Sequence, residues 1–379
     1  MKTICSLLMI VSIVLVGPGC GRRSDSELAA GTPVNVKVGH VGHDHQIALF
    51  VAADNAERFA ESTGILLKVV RDKELYELFD GDRKLADVEI VRVGGGSKMP
   101  TALAQGIIDV GFGGVTPSLA AADQGAPVKI IAPLHSKGNM LVVRPDIPIG
   151  NWKEFLEHVR DAKEPLRIGY KAPIACAKLV FEEALRHEGI NFTGDLSKTD
   201  VQVHMINVKG DGKLNASLSG GLVDGYVGNN PFPAIGLEKK ILKVVCDLEG
   251  LPPGTLRNHP CCCIAAHEKA MREKAEAIAA LLVLFQQATD LINTDLDAAV
   301  SSATRWIGTS EQVERNSIPT SGYSMDASKD WHDRMAIWLK AMQGLAVFDG
   351  KLKTATEQEA AVMACDLSLL KKARERLGK

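Results

Sequence analysis

The sequence predicts an α/β protein made of two similar lobes, each a mostly parallel sheet flanked by helices. Two observations support this prediction: short β-rich runs alternate with helical patterns from residue 34 onward, and one stretch of the first half recurs weakly in the second. Strands that alternate with helices form parallel sheets covered on both faces. A chain of 379 residues is long enough for more than one domain with a buried core.

The composition is that of an ordinary folded protein. Hydrophobic residues make up 46% of the chain and charged residues 24%, and the formal net charge is only −2. A disordered chain has fewer apolar residues and a larger net charge. Nucleic-acid binding needs clustered basic residues or a platform of aromatic side chains, whereas aromatics are only 5% here, so no nucleic-acid partner is expected.

The N-terminal residues predict export. One positive charge at Lys2 precedes a 13-residue, largely apolar run at 4–16, which is too short to span a bilayer but fits a secretory signal. The segment that follows, Gly17-Pro18-Gly19-Cys20, resembles a bacterial lipoprotein signal, although Gly17 replaces the usual leucine. We therefore expect a signal peptide at 1–19, lipidation of Cys20 and a polar tether at 20–33. The alternative is an ordinary cleaved signal.

The alternation of elements defines the expected lobes. Lobe one is expected at 34–136 and, with C-terminal helices, at 246–379; lobe two is expected at 137–245. The predicted strands are 34–41, 66–70, 88–93, 110–112, 128–132, 166–170, 201–208 and 224–227. The predicted helices are 47–59, 99–105, 118–123 and 176–188, with mostly helical structure after residue 268.

The weak internal repeat indicates where a ligand binds. Four residues match a partner 115 positions later, namely Leu103, Gly106, Asp109 and Gly113 with Leu218, Gly221, Asp224 and Gly228. In both copies a helix is expected to end at a glycine of positive φ, and a short buried strand then leads into a Gly/Asn/Pro loop. Ligands of open α/β sheets bind at such strand ends, so a cleft between the lobes is predicted. Chance recurrence of a common turn is the alternative.

A family resemblance covers most of the chain from about residue 34 to 304. It rests on Gly96, Leu103, Gly106, Asp109-Val110-Gly111, Gly113-Gly114, Pro117, Ala120-Ala121, the run 125–132 and the segment 230–234. These residues resemble the substrate-binding proteins of ABC importers for nitrate, sulfonates, taurine and thiamine-pyrimidine precursors.

The resemblance implies a two-lobed fold of the periplasmic-binding-protein type II, which closes on a small molecule and presents it to a permease and its ATPase. We accordingly expect a monomer outside the cytoplasmic membrane, held there by its N-terminal lipid, that catalyses nothing and needs no cofactor.

The loops at the predicted strand ends supply the candidate binding residues. Glycines there allow close approach of a ligand to the backbone, and donors outnumber acceptors, with Asp44 the main exception. This balance favours an oxyanion or a polar heterocycle over a cation. The candidates are His43, Asp44, His45, Gly95, Gly96, Ser97, Gly114, Val115, Thr116, Lys171, Ala175, Cys176, Asn229 and Asn230.

Two alternative functions stay open. His43 and His45 could bind a transition metal together with Cys261, although the preferred prediction is a binding protein without a metal. The run Cys261–Cys263 also resembles the cysteine motif of the eukaryotic thiamine-pyrimidine synthase. That enzyme carries a lysine and a histidine in the segment matching 111–118, and neither is present here, so a Schiff base to pyridoxal cannot form there.

Overall fold

This computed structural model describes residues 32–379. The expected signal peptide at 1–19, the lipidation site Cys20 and nearly all of the expected tether lie outside the described residues. Every element below belongs to the unit Pro33–Lys379.

The described residues form thirteen strands in two sheets. The strands are β1 (Val34–His40), β2 (Ile65–Arg71), β3 (Leu75–Asp80), β4 (Arg83–Arg92), β5 (Val110–Gly114), β6 (Val128–His135), β7 (Asn139–Val143), β8 (Leu166–Tyr170), β9 (Phe192–Thr193), β10 (Val203–Asn207), β11 (Gly225–Asn229), β12 (Lys243–Asp247) and β13 (Cys262–His267).

The first sheet is less parallel than the sequence predicts. Its order is β2-β3-β4-β1-β5-β13-β6, and only the pairings β4–β1 and β1–β5 are parallel. The strands β2, β3 and β4 follow one another through turns too short for a parallel crossover, so they pair antiparallel. The strand β13 enters antiparallel between β5 and β6. The expectation of a mostly parallel sheet is therefore wrong for this sheet.

The second sheet is built from the middle of the chain. Its order is β12-β7-β11-β8-β10-β9, with β11, β8, β10 and β9 parallel and β7 antiparallel to both of its neighbours. The chain therefore enters this sheet at β7 and leaves it at β12, which runs across the expected lobe boundary at residue 245.

Helices cover both sheets. They are α1 (Ile47–Asp54), α2 (Ala56–Thr63), α3 (Met99–Ala104), α4 (Val115–Asp123), α5 (Trp152–Asp161), α6 (Cys176–His187), α7 (Leu214–Ser219), α8 (Phe232–Glu238), α9 (Glu268–Glu273), α10 (Ala275–Thr294), α11 (Leu296–Ile307), α12 (Glu311–Ser317), α13 (Lys329–Gly344), α14 (Glu357–Ala364) and α15 (Ser368–Arg376).

The long helix α10 is the central support of the first sheet. It packs against α1, α11 and α15 and against several strands of that sheet. By length and composition it is also apolar enough to cross a membrane, but 72% of its most apolar window is buried inside the protein. Burial of this kind is that of a core helix.

The predicted elements are mostly found, with two kinds of difference. The expected helix 47–59 is two helices, α1 and α2, which meet at Asn55. The strands β3, β7, β9, β12 and β13 and the helices α5 and α8 were not predicted, whereas α7 is the helix expected in the second copy of the repeat. The expected helical C-terminal part is confirmed from α9 to α15.

The internal repeat has one structural basis in both sheets. Gly106 and Gly221 have φ of +68° and +71°, as predicted, and each ends the turn after a short helix. The carboxylate of Asp109 then accepts the backbone N–H of Lys37 at 2.8 Å, and that of Asp224 accepts the backbone N–H of Arg167 at 3.0 Å. In each case the aspartate's own N–H donates to the same neighbour's carbonyl at 2.8 Å. Each repeated aspartate therefore ties the start of one strand to the strand beside it.

We expect Asp109→Ala and Asp224→Ala each to lower the free energy of unfolding by about 1.5–3 kcal/mol, because each leaves a backbone N–H in the sheet without its charged acceptor. Urea denaturation followed by circular dichroism measures the loss. The control is Asp146→Ala, since Asp146 is exposed and pairs only with Arg144; it should change stability by less than about 0.5 kcal/mol.

The effect of Asp224→Ala should also depend on pH. Burial alone would raise the pKa of Asp224, but hydrogen bonds from Arg167 outweigh it and hold the pKa below its usual value. A carboxylate with a lowered pKa stabilises the fold above the unfolded pKa, and this contribution is lost as the pH falls through the folded pKa. The difference between the parent and Asp224→Ala should therefore shrink below about pH 4. A difference that stays constant down to pH 2 would contradict the assigned role.

Candidate functional site

A pocket lies where the carboxyl ends of strands from both sheets meet. Eight residues expected from sequence line it: His43, His45, Gly96, Ser97, Gly114, Lys171, Ala175 and Cys176. The structure therefore brings together residues from the loops after β1, β4, β5 and β8, as the strand-end argument predicts.

Six further residues line the pocket, of which only Cys261 was a candidate from the sequence, as a member of the metal alternative. They are Gln46, Pro117, Asn139, Ala177, Cys261 and Cys262. Three of them, Gln46, Pro117 and Ala177, stand next to residues that were predicted, so those loop boundaries were drawn too narrowly. Asn139 is the first residue of β7, an antiparallel strand that the alternating pattern does not reveal.

The histidine loop after β1 is held by buried polar contacts. His43 and His45 are both almost fully buried, and the side chain of Gln46 accepts from the N–H of Val41 at 2.6 Å and donates to the carbonyl of Phe112 at 2.6 Å. Nε2 of His45 donates to the carbonyl of Gly138 at 3.1 Å. Because a carbonyl only accepts, the neutral ring carries its proton on Nε2 and leaves Nδ1 with a lone pair.

Both histidines are uncharged at neutral pH. Burial, and then the nearby charge of Lys171, lower the pKa of His43 to about 4. Burial lowers the pKa of His45 well below its usual value, and the neighbouring ring of His135 lowers it further. The loop therefore offers neutral imidazoles to a ligand rather than positive charge.

The positive charge of the pocket comes from Lys171. Its Nζ lies 2.7 Å from a carboxylate oxygen of Asp211 and donates to Oδ1 of Asn229 at 2.6 Å. Burial alone would lower the pKa of Lys171, but the charge of Asp211 outweighs it and the net pKa is raised. Lys171 is therefore a fixed cation, and an ammonium has three N–H groups, of which these two contacts use two.

Four of the other candidates lie beside the pocket without lining it. Oγ1 of Thr116 donates to the carbonyl of Ile174 at 2.7 Å and so joins α4 to the loop before α6. Val115 is fully buried in the core. Asn229 contacts Lys171, as described above, and Gly95 has φ of +144° in the turn that leads to Gly96.

Asn230 has a role in the fold at this position. Its side-chain amide donates to the carbonyl of Ser317 at 3.0 Å and to Oγ1 of Thr320 at 2.6 Å. It thus connects the end of β11 in the second sheet to the end of α12 and the turn that follows it, and it does not line the pocket.

Asp44 also turns away from the pocket. It is fully buried, and within the part of the chain that the structure describes neither carboxylate oxygen has a hydrogen-bond partner. Burial, and then the neighbouring carboxyl of Glu314, raise the pKa of Asp44 well above its usual value. Burial also raises the pKa of Glu314, whose other oxygen accepts from Thr309. Two buried carboxyls side by side favour the protonated form.

The metal alternative suggested by sequence has the wrong set of residues. The structure does not place His43 with His45 and Cys261 in one cluster; instead it places His45 with His135, Cys261 and Cys262, all buried. His135 ends β6 and lies opposite Cys262 across the antiparallel pairing of β6 with β13. That pairing joins residues more than a hundred positions apart, and no sequence spacing indicates it. The six described cysteines are free thiols.

Comparison with known proteins agrees with this architecture. The profile of the NMT1-like family matches residues 29–308. A relative, the uncharacterized protein MJ1180 of Methanocaldococcus jannaschii, is 37% identical over 139 residues, which cover 36% of this chain and 92% of the relative.

Several solved structures have the same fold. The ligand-binding component of an ABC-type import system from Staphylococcus aureus, solved with zinc bound, has a TM-score of 0.68 at 15% identity and covers 90% of this chain and 99% of its own. The periplasmic nitrate-binding protein NrtA from Synechocystis PCC 6803 has a TM-score of 0.67 at 13% identity, with 91% and 89% covered. The alkanesulfonate-binding protein SsuA from Xanthomonas axonopodis pv. citri, bound to MOPS, has a TM-score of 0.63 at 13% identity. The match covers 89% of this chain and 99% of the SsuA chain. The expected two-lobed α/β fold is confirmed.

We expect Gly138→Ala to be strongly destabilising. Gly138 has φ of +83°, and an added Cβ would lie 2.5 Å from Oγ of Ser321 and 2.8 Å from Nε2 of His45. Gly254→Ala is a matched control, because Gly254 has the same φ of +83° and open space around a Cβ. Gly254→Ala should cost about 1 kcal/mol for backbone strain, and Gly138→Ala clearly more. Equal losses of thermal stability would show that the contacts around Gly138 carry no energy.

We expect Asp44→Asn to flatten the dependence of stability on pH. A carboxyl whose pKa is raised by folding binds its proton more tightly in the folded state, so stability falls as the pH rises above the unfolded pKa of about 4. Each unit of increase in the folded pKa costs about 1.4 kcal/mol once the group is ionised. Asp44→Asn should therefore be the more stable protein at pH 7, and the two should converge near pH 4.

Urea denaturation between pH 4 and pH 8 measures this difference. Asp82→Asn is the control, because Asp82 lies at the exposed turn between β3 and β4; its stability should follow that of the parent at every pH. A parent that gains stability relative to Asp44→Asn as the pH rises would contradict the buried-pair assignment.

Proposed function

We propose that this chain, which belongs to the NMT1-like family, is the substrate-binding component of an ABC importer. In this proposal it captures a small polar or anionic organic molecule of the nitrate, sulfonate or pyrimidine-precursor class outside the cytoplasmic membrane. Its lobes close on the ligand, and it then delivers the ligand to a permease and its ATPase. Export, lipidation at Cys20 and action as a monomer belong to the same proposal.

The observation that supports it best is a pocket whose walls come from both sheets. Gly96, Ser97 and Gly114 follow strands of the first sheet, whereas Lys171 and Ala175 follow a strand of the second. A ligand that contacts both walls binds the closed arrangement more tightly than an open one, and this difference in affinity drives closure.

The polar groups of the pocket favour an anion or a hydrogen-bond acceptor. Lys171 supplies a fixed positive charge, and the hydroxyl of Ser97 and the backbone at the start of the turn Gly96–Lys98 supply further donors. The main carboxylate candidate, Asp44, faces Glu314 instead, and Asp211 is paired with Lys171. Because Asp44 does not line the pocket, the pocket favours an oxyanion or a polar heterocycle over a cation more strongly than the sequence indicated.

The chain crosses between the sheets at two places that suit a hinge. One crossing is the three-residue link between β6 and β7, and the other is the irregular segment between β12 and β13. We assign lobe one to 34–136 and 246–379 and lobe two to 137–245 on this basis, with the end of β12 as the return crossing.

Native mass spectrometry of the purified chain, before and after denaturation, tests the proposal. A small organic molecule that is bound in the native state and released on denaturation is the expected result, and its mass identifies the ligand class. Thermal-shift measurements with nitrate, alkanesulfonates and pyrimidines then rank the candidates, since a ligand that binds only the folded state raises its stability.

We expect Gly96→Leu to abolish binding of that ligand while the protein stays folded. Gly96 is buried in the pocket wall, and a Cβ added there meets no atom within 4 Å, so a leucine side chain would occupy the ligand's volume. Gly250→Leu is the matched control, because Gly250 also has open space around its Cβ but lies at an exposed turn. Isothermal titration calorimetry should show at least about a 100-fold loss for Gly96→Leu, equivalent to roughly 2.7 kcal/mol.

The two variants separate the pocket from the fold. If Gly96→Leu binds the ligand as tightly as Gly250→Leu does, the ligand binds elsewhere and the proposed site is wrong. If the ligand is bound equally by chain that has been denatured, no lobe closure is involved and the proposed mechanism is wrong.

A further inference from the structure

Four buried side chains with metal-ligating atoms converge at one side of the pocket. They are His45 from the loop after β1, His135 at the end of β6, and Cys261 and Cys262 at the start of β13. Their ligand atoms all lie within 4.8 Å of one another. All four residues are at least nine-tenths buried.

Two separations within the cluster are close to those of a tetrahedral site. Nδ1 of His45 lies 3.8 Å from Sγ of Cys261 and 3.9 Å from Sγ of Cys262. A tetrahedral zinc ion about 2.3 Å from sulfur and about 2.0 Å from nitrogen holds these two atoms about 3.5 Å apart. These two separations exceed that value by a few tenths of an ångström, and no two ligand atoms of the cluster are more than 4.8 Å apart, so side-chain rotations would close the cluster around an ion.

The surrounding hydrogen bonds orient the ligands for a metal. Nε2 of His45 donates to the carbonyl of Gly138, so the lone pair of Nδ1 faces the two sulfur atoms. The side-chain amide of Asn139 donates to Sγ of Cys261 at 3.2 Å, which favours a thiolate. A ligating histidine whose second nitrogen donates to a backbone carbonyl is the usual arrangement around protein-bound metals.

His135 is an independent indication that something binds here. Neither ring nitrogen of this buried side chain has a hydrogen-bond partner among residues 32–379, and its ring centroid lies 3.9 Å from that of His45. Burial of an imidazole without a partner costs free energy, and such groups are rare in folded proteins. A bound ion would satisfy one of the two nitrogens.

We propose that His45, His135, Cys261 and Cys262 form a binding site for a divalent transition-metal ion, and that Zn²⁺ fits it best. Two sulfur and two nitrogen ligands in tetrahedral geometry select zinc over the hard, oxygen-preferring cations. Binding releases one proton from each thiol, so the two thiolates balance the charge of the ion and the filled site is neutral. Four protein ligands leave no open position, which is the pattern of a structural site and not of a catalytic one.

The site is distinct from the ligand contacts of the second sheet. All four ligands belong to the first sheet or to the loop after β1, whereas Lys171 and its partner Asp211 lie across the pocket. The ion would form part of the pocket wall next to the transported molecule. The inference goes beyond the proposed function and does not depend on it, because the cluster binds its ion without any ligand from the second lobe.

Titration of the metal-free chain with Co²⁺ tests the proposal. Zn²⁺ has a filled d shell and no visible spectrum, whereas tetrahedral Co²⁺ shows intense visible bands, and thiolate ligands add a charge-transfer band in the near ultraviolet. The chain is kept reduced by a phosphine so that its cysteines stay free thiols. The expected result is a single Co²⁺ ion per chain with both features, displaced by Zn²⁺.

Variants then locate the ion. Cys261→Ser/Cys262→Ser should remove the charge-transfer band and weaken Zn²⁺ binding by more than the roughly 100-fold that loss of a second-shell partner can cause. His135→Gln should keep the charge-transfer band but change the visible bands and weaken binding. Cys263→Ser is the matched control: Cys263 is an equally buried neighbour outside the cluster, and its replacement should leave the spectrum unchanged.

Circular dichroism of each variant confirms that it is folded. The proposal is overturned if the parent binds no Co²⁺, if its bound Co²⁺ shows no thiolate charge transfer, or if the folded double-cysteine or His135→Gln variant binds as the parent does. None of these readouts involves the transported molecule, so failure here leaves the ligand pocket and its own test standing.

Discussion

The carbonyl of Gly138 is the contact on which the arrangement of the site depends. It accepts Nε2–H of His45 at 3.1 Å and the backbone N–H of Asn230 at 3.0 Å. Gly138 lies in the short link between β6 of the first sheet and β7 of the second sheet. This one backbone oxygen therefore holds the histidine loop after β1 against the loop after β11. A side chain at position 138 would collide with Ser321 and His45, so the position requires glycine.

Several buried polar groups that lower the stability of the fold lie around this junction. Asp44 and Glu314 are adjacent buried carboxyls, His135 has unpartnered nitrogens, and Lys171 with Asp211 forms a largely buried ion pair. Each costs desolvation energy that the apolar core around α10 offsets elsewhere. Such a concentration of buried polar groups is expected of a functional site.

The sequence was most informative where a local rule acts by itself. Gly106 and Gly221 end helices with positive φ, and Asp109 and Asp224 cap the neighbouring strand in both sheets, so the repeat is visible in residue types alone. It was least informative about β3 and β13. The strand β3 pairs antiparallel with β4 across a short turn, and β13 pairs antiparallel with the distant β5, so the first sheet is mixed. It also misjudged Asp44, since the direction of a side chain in a turn depends on which neighbour it meets.

By itself, the sequence determined the α/β class, the two related lobes and several of the loops that line the pocket, because periodicity, glycine and aspartate act over a few residues. Only the tertiary structure decided which of those loops meet. His135 joins His45 and the two cysteines because β13 returns from the far end of the chain and pairs antiparallel with β6. Asn230 leaves the pocket because the segment after α12 offers it partners. Such meetings depend on strand register between distant segments, and no local pattern of residues encodes that register.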